Sequence, residues 1–513
     1  MLAPLPIGLQ DFRSIRERGF LYVDKTEAIH RLVRNGTYFF LSRPRRFGKS
    51  LTLSTIKELY VGSEDLFQGL WIHDHWDWQR SHPVIHLPFN SIGYAKKGLE
   101  KALADFLEKE ANRHDLSLRE TYASSMLLEL IEKLHQAHGE RVVLLIDEYD
   151  KPIIDYLEDP AKAKAQRDEL KTFYGGLKGM DPHVEFAFIT GVSKFSRMSI
   201  FSELNNLNDL TLHPRYTTLM GYTQQELNRY FSPYLAQIGE QRSTPQAELR
   251  ESVQRWYNGY SWDGKHFVYN PFSILSFMDA GQFQNFWFST GTPTFLIKLF
   301  RNRMEYAIGV KEVGQAAFEA FDLDHIDTTT LLFQTGYLTI KEAQEFGTFL
   351  LDYPNQEVKD SLLQYLIGTF GHISPTASTP LILKVRKAFL AEDIPQVMLI
   401  LNGLFKSIPS HLFLKDREAY YHSLVFLAFQ YLGVYLEAEV HTFDGRIDAV
   451  VYTEKQIYLL EFKLDQTAEK ALAQIQQKAY PDRFRADGRR LMAVGVNFSS
   501  EKKAIDDWRI EQL

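Results

Sequence analysis

Not one of the 513 residues is cysteine. The chain therefore has no disulfide framework, no thiol nucleophile and no zinc site with cysteine ligands. Such a composition fits a reducing compartment. Long apolar runs are missing as well. The most apolar stretch, Leu424 to Leu436, is interrupted by Gln430 and falls short of the ~20 residues that a bilayer crossing takes. A buried helix is expected there. The N-terminal MLAPLPIGLQDFRSIRERGF has no apolar segment of the signal-peptide kind, so a soluble, cytoplasmic protein with no membrane partner is expected. Finally, neither sign of charge dominates. Lys and Arg number 58 against 65 Asp and Glu, a net charge of -7. That excludes a broad cationic surface, though not narrow basic strips.

What is present is ordinary globular material, 45% hydrophobic and 24% charged, long enough for roughly two to four domains. In residues 1–215, short apolar runs alternate with amphipathic stretches. Tyr38–Leu41, Val84–Leu87, Val142–Ile146 and Val184–Ile189 read as buried strands. Leu99, Leu103, Phe106 and Leu107 mark one helix face, and Met126, Leu127, Leu130, Ile131 and Leu134 another. Apolar strands separated by helices imply an α/β fold with a parallel sheet and helices on both faces. Residues 216–410 are mainly helical, as in Glu226–Ile238 and Leu381–Leu401. At Leu331–Ile340 a helix end turns into a strand; a small winged-helix element and an ordinary helical subdomain both fit. Residues 411–513 return to α/β. A helix over 417–434 leads to strands at Tyr435–Thr442, Arg446–Tyr452 and Gln456–Leu464. A helix over 467–478 and a strand at Leu491–Val496 follow.

Two stretches carry phosphate chemistry. After the first strand comes Arg43-Pro44-Arg45-Arg46-Phe47-Gly48-Lys49-Ser50, the end of a phosphate-binding loop pattern with Arg43 where its first glycine stands. Gly48 lets backbone N–H groups approach phosphate, Lys49 reaches the β and γ phosphates, and Ser50 offers its hydroxyl to Mg²⁺. Arg46, Phe47, Gly48, Lys49, Ser50 and Asp147 are the expected nucleotide contacts. The third strand ends in Asp147-Glu148, at the edge where such sheets bind ligands. Asp147 suits the Mg²⁺ shell and Glu148 the general base for the attacking water. At the end of the next strand, Thr190 and Ser193 are candidates to sense the γ phosphate, and Lys194 or Arg197 to neutralise charge. A plain turn fits each of them equally.

These stretches resemble the AAA-ATPase-like family of bacterial P-loop proteins. The matching segments are Leu5–Gly8, Tyr22–Thr26, Arg43–Ser50, Leu145–Asp150, Ile189–Phe195, Trp256–Tyr260 and Ser289–Pro293. The resemblance covers about residues 1–300. It implies ATP binding and hydrolysis, and it places Asp24 and Lys25 near the nucleotide.

The second stretch is Gly445-Arg446-Ile447-Asp448, followed by Leu459-Leu460-Glu461-Phe462-Lys463. Alternate strand residues share a face, so Glu461 and Lys463 point the same way, and a hairpin would bring Asp448 to them. Two carboxylates make a hard oxygen site for Mg²⁺ or Mn²⁺. An acid inside an apolar run needs such a partner. With Gln474 in the following helix, the arrangement resembles the PD-(D/E)XK nuclease superfamily. That resemblance implies catalytic roles for Asp448, Glu461, Lys463 and Gln474, with metal at Asp448 and Glu461. It relates Glu418 to an acid of the first helix; Ile447 replaces the proline of the motif's name. Lys478, Arg483, Arg485, Arg489 and Arg490 suit a grip on nucleic-acid phosphates, and equally a solvated turn. His73-Asp74-His75 fits a metal or a plain loop. The leading expectation is an ATP-driven or ATP-regulated, Mg²⁺-dependent nuclease, with DNA favoured over RNA and oligomeric state open. The rival is an ATP-switched interaction protein whose nuclease-like domain binds without cutting.

Overall fold

The apolar runs of the N-terminal region become strands of one parallel sheet. In this computed structural model they are β1 (Tyr38–Ser42), β2 (Val84–Pro88), β3 (Val142–Asp147) and β4 (Val184–Gly191), joined by the short β5 (Asn208–Asp209). The order is β2-β3-β4-β1-β5, parallel throughout. Every residue of β1 and β3 is buried. Since successive side chains point to opposite faces, both faces of these strands are covered. The structure describes residues 2–194, 206–288, 296, 300, 309–318, 327–371, 374–406, 418–440, 448–478 and 480–513.

The expected helices form at Leu99–Arg113 and Ala123–His138, with Leu99, Leu103, Leu107, Met126, Leu127, Leu130, Ile131 and Leu134 buried. The helix Lys49–Val61 starts at Gly48 (φ 89°) and stops at Gly62 (φ 83°). Its Leu53, Ile56 and Leu59 join Phe39 and Leu41 of β1, Val143 and Leu145 of β3 and Phe186 of β4 in one core. That packing holds the start of the helix against the carboxyl ends of the strands.

The described residues fall into two compact units. One comprises those up to 288 with Val310–Asn355; Gln356–Leu513 lies in the other. The division thus runs through the stretch expected as one middle region. In the first unit, Gln224–Arg242 is a helix opened by a capping box of Thr223 and Glu226. The turn from helix to strand at 331–340 is there: the helix Thr328–Thr335 ends at Gly336 (φ 90°). The strand that follows, β9 (Thr339–Ala343), lies in an antiparallel sheet with β8 (Lys311–Gly314) and β10 (Thr348–Asp352), ordered β8-β10-β9. Between this sheet and β5 come the short β6 (Asn258–Tyr260) and β7 (Val268–Tyr269).

In the second unit, the continuous helix expected over Leu381–Leu401 is two helices, Pro375–Leu390 and Ile394–Lys406. Glu392 between them has a φ of 59°, outside the helical region, and Pro395 has no N–H to extend a helix backwards. The apolar helix is Glu418–Leu432, with Leu424, Leu427, Phe429 and Leu432 buried. A mixed sheet follows: β11 (Ala438–Val440), β12 (Ala449–Tyr452), β13 (Gln456–Leu464), β14 (Arg490–Ser499) and β15 (Ala504–Gln512), in chain order across the sheet. Only β13 and β14 pair in parallel. Their connection is the expected helix, Ala468–Gln477, capped by Thr467. Arg417, Arg446 and Ile447 lie outside the described residues.

Candidate nucleotide and metal sites

The loop between β1 and the helix Lys49–Val61 lines a cavity of about 470 Å³. Arg45, Arg46, Gly48, Lys49 and Ser50 form one side, with Glu148, Asp150 and Lys151 beside them. No side chain caps the helix at Gly48, so its N-terminal end is left to whatever enters the cavity. Lys49 is buried, and its ammonium donates to the carbonyls of Arg43 (3.0 Å) and Pro44 (3.0 Å). Burial pushes it below the usual lysine range, while Glu148, Asp147 and Asp150 pull the other way. Arg46 sits at φ 65° with its guanidinium 3.9 Å from the Phe272 ring. Phe47 does not line the cavity; it is buried edge-on against Tyr260 and Trp262.

Arg43 turns away from the phosphate side. Its guanidinium is fully buried, donating to the carbonyls of Ser42 (2.9 Å), Thr211 (2.9 Å) and Tyr216 (3.3 Å), and stacks 3.7 Å from the Trp262 ring. Burial lowers it to about 9, so it remains a cation at neutral pH.

β3 delivers its acids to the edge of the sheet where β1 delivers the loop. Asp147 is buried and accepts from the Thr190 hydroxyl at 2.9 Å. Glu148 adopts φ 55°, an uncommon conformation for a residue with a side chain; burial raises its carboxyl, offset by Lys49. Asp150 accepts from Val192 N (3.0 Å), Ser193 N (2.7 Å) and Ser193 Oγ (2.7 Å), and its other oxygen is buried without a partner. Burial raises Asp150 too.

Other expected residues have partners away from the loop or lie outside the described residues. Asp24 accepts from Thr26 N (2.8 Å), Thr26 Oγ1 (2.6 Å) and Trp71 N (2.8 Å), while Lys25 pairs with Glu226 at 2.7 Å. Neither lines the cavity. Lys194 pairs with Asp209 at 2.9 Å, and Arg197 lies outside the described residues, as does Ser289–Pro293. The apolar part of the lining is not among the expected residues: Pro6, Leu9, Tyr222, Pro271, Phe272 and Leu275. A signal for it exists in Asn270-Pro271, a helix start in which Asn270 accepts from Phe272 N (2.9 Å) and Ser273 N (3.2 Å).

The second constellation comes together as the hairpin predicts. The β12–β13 ladder pairs Ala449 with Leu460, so one step further sets Asp448 across from Glu461. Asp448 accepts from Phe462 N at 2.7 Å. Glu461 is 1% exposed; its Oε1 accepts from Lys463 Nζ (3.0 Å) and from Gln474 Nε2, and its Oε2 is buried with no hydrogen-bond partner. Burial raises both carboxyls. The charge of Asp448 adds to the rise of Glu461, while Phe462 N, Lys463 and Lys478 lower Asp448.

Gln474 reaches Glu461 because its helix lies close to the sheet over Gly495, the β14 partner of Glu461. A Cβ on Gly495 would come 2.8 Å from Leu472 Cγ and 2.9 Å from Leu472 N. This glycine was not anticipated.

The basic strip is mostly spoken for. Arg485 pairs with Asp482 (2.8 Å), Arg489 with Asp487 (2.5 Å) and Arg490 with Glu392 (3.1 Å). His75 stacks on Trp71 and His73 pairs with Asp74. Among the described residues, no group of three or more His, Asp or Glu is placed to hold a metal. The Glu418 side chain is outside what is described.

Residues 6–201 match the family model described as Predicted AAA-ATPase, and residues 416–508 match the PD-(D/E)XK nuclease superfamily. A protein of Azotobacter chroococcum mcd 1, described as "Uncharacterized protein in vnfD 5'region", is 39% identical over 527 residues, covering 99% of both chains. The chain belongs to the AAA-ATPase-like proteins that end in a PD-(D/E)XK domain. No solved structure matches it. The AAA-ATPase match ends before Tyr222, Phe272 and Leu275, which line the cavity. Among the described residues, no helix is long and apolar enough to cross a membrane.

Proposed function

We propose that this protein binds and hydrolyses ATP, and that this cycle drives or regulates Mg²⁺-dependent cleavage of DNA by its C-terminal domain. The observation that carries the reading is the Glu461 carboxyl, buried across from Asp448 with one oxygen unpartnered. A buried acid in that state is costly, and two hard carboxylates suit a divalent cation. Asp448 and Glu461 would hold Mg²⁺ or Mn²⁺, which when bound supplies positive charge for activating water and for a phosphodiester. Gln474 and Lys463 fix the Glu461 rotamer from two sides, and the Lys463 ammonium is available to charge developing on the phosphate.

For ATP, the cavity offers an apolar wall of Pro6, Leu9, Tyr222, Pro271, Phe272 and Leu275 for a base and ribose, and the loop for phosphates. Lys49 exchanges the carbonyls of Arg43 and Pro44 for β- and γ-phosphate oxygens. Ser50 and Asp147 would hold Mg²⁺. Glu148 takes the proton of the attacking water, its basicity raised by burial. Arg46 supports the phosphates from the Phe272 side, and Phe47 holds the loop.

The test is a panel of DNA and RNA substrates with and without ATP and Mg²⁺. Wild type is compared with Lys49→Ala, Glu148→Gln and Lys463→Ala. Lys463→Ala should abolish cleavage while leaving ATP turnover. Lys49→Ala should lose ATP binding, and Glu148→Gln should bind without turnover. Persistent cleavage by Lys463→Ala, or normal turnover by Glu148→Gln, would overturn the corresponding role. The lack of a third acidic ligand among the described residues favours a second reading, an ATP-switched binding protein that does not cut. Wild type that binds nucleic acid without cleaving it at saturating Mn²⁺ would select that one.

A further inference from the structure

The phosphate loop lacks its first glycine, and the geometry points to what replaces it: Trp262, which we infer is a positioning residue of the nucleotide site. This rests on the ATP reading above and deepens it. A glycine at the first loop position gives the chain freedom to curve. Here the left-handed positions are Arg46 (φ 65°) and Gly48 (φ 89°), and Arg43 is not among them. Its long side chain is instead drawn inward by three carbonyls and covered by the indole of Trp262.

The same indole meets the other end of the loop. Phe47 stands edge-on to it, with ring centroids 5.4 Å apart at 88°, and edge-on to Tyr260 at 4.7 Å. One buried side chain therefore touches both the first residue of the loop and the residue before Gly48. The span between is held from the same side: Trp287 Nε1 donates to the Arg45 carbonyl at 3.1 Å, and Gly336 makes room for Pro44. Trp262 is itself fixed through its neighbour. Ser261 N donates to Thr339 Oγ1 (2.7 Å), which donates to the Ser261 carbonyl (2.7 Å).

The curvature so imposed matters to chemistry because Lys49 takes its bearings from the carbonyls of Arg43 and Pro44. If the indole goes, Arg43 loses its cover and Phe47 its edge contact, and the phosphate-facing backbone and Lys49 move together. A displacement of about 1 Å at a reacting centre costs roughly 10²-fold in rate, whereas a Lys49 that is shifted but present still meets phosphate, so binding changes less.

The experiment compares Trp262→Leu and Trp262→Phe in the full chain by ATPase kinetics and by titration with ATP. Lys49→Ala serves as the binding control. Trp262→Leu should lower kcat at least 10-fold with Kd for ATP within about threefold. Trp262→Phe, which keeps a ring over Arg43 and against Phe47, should recover kcat to within about threefold of wild type. A folded Leu variant with wild-type kcat overturns the inference, as do Leu and Phe variants equally impaired, which would mean bulk packing alone. Hydrogen exchange on wild type serves if the Leu variant does not fold. ATP-dependent protection of residues 43–50 should be accompanied by protection of 258–264, and its absence there also overturns the inference. Wild type that binds ATP no better than Lys49→Ala refutes the nucleotide reading, and this one with it.

Discussion

Gly495→Ala tests how the C-terminal site is assembled without touching any residue expected to do chemistry. The added methyl would lie 2.8 Å from Leu472 Cγ, 2.9 Å from Leu472 N and against the Ala468 carbonyl oxygen. Two of those atoms are helix backbone, so no rotamer change relieves the clash. Ordinary contact begins near 3.4 Å, so the helix must retreat by about 0.5 Å (3.4 − 2.9) relative to Leu472 N alone. Overpacking of this kind costs about 1–3 kcal/mol. The same retreat draws Gln474 off Glu461, freeing a carboxyl that Lys463 alone then holds. Cleavage should fall by about 10- to 100-fold, with ATP affinity unchanged, because the cavity belongs to the other compact unit. Thermal unfolding, nuclease rate and ATP titration on one preparation read the three effects. Full cleavage by a destabilised variant would refute the claim that helix position sets the site, and an unchanged melt would refute the packing argument itself.

Other consequences follow from the same geometry. Asp24→Ala removes the acceptor for Thr26 N, Thr26 Oγ1 and Trp71 N and should cost about 1–3 kcal/mol with the Kd for ATP unchanged; a selective loss of ATP binding would return Asp24 to the nucleotide site. Burial raises the Asp150 carboxyl, so the folded chain keeps that proton to higher pH than the unfolded chain. Between the ordinary carboxylate value and the raised one, stability therefore falls as pH rises. Asp150→Asn should remove that slope in denaturant midpoints measured across the acidic range, and a parallel pH profile would reject it. Arg485, Arg489 and Arg490 are paired to acids, so this strip offers few available cations among the described residues. If about two or three phosphates are neutralised, affinity for duplex DNA should fall with salt at a log–log slope of about -2 to -3, and a slope near -8 would show that the pairs open on binding.

The elements read most reliably from sequence are those whose burial is two-sided. Val142–Ile146 and Tyr38–Leu41 are apolar without interruption because helices cover both faces, and both are strands. β15 escaped notice for the opposite reason. It is an edge strand on which Ile505 is buried but Asp506, Arg509, Glu511 and others face outward, and polar edge strands look like loops. The break at Glu392 was missed because apolar periodicity carries across it from Leu381 to Leu401, although Pro395 was in view. The domain seam at Asn355 and Gln356 leaves no mark in composition.

Candidate site residues were legible where chemistry repeats over a short span. Gly48-Lys49-Ser50, Asp147-Glu148 and Glu461-x-Lys463 each carry their meaning within a few positions, and strand alternation alone places Glu461 and Lys463 on one face. Partners that arrive through tertiary folding were not legible. Glu392 neutralises Arg490 from 98 positions away (490 − 392), a pairing that the basic strip in the sequence does not show. The loop makes the point most sharply. Arg43 announces that a glycine is missing, but what compensates is an indole 219 positions later (262 − 43) that meets both Arg43 and Phe47. A departure from a motif is visible locally. Its remedy is a three-dimensional contact, and the segment that supplies it lies beyond the stretch where the motif's own family match ends.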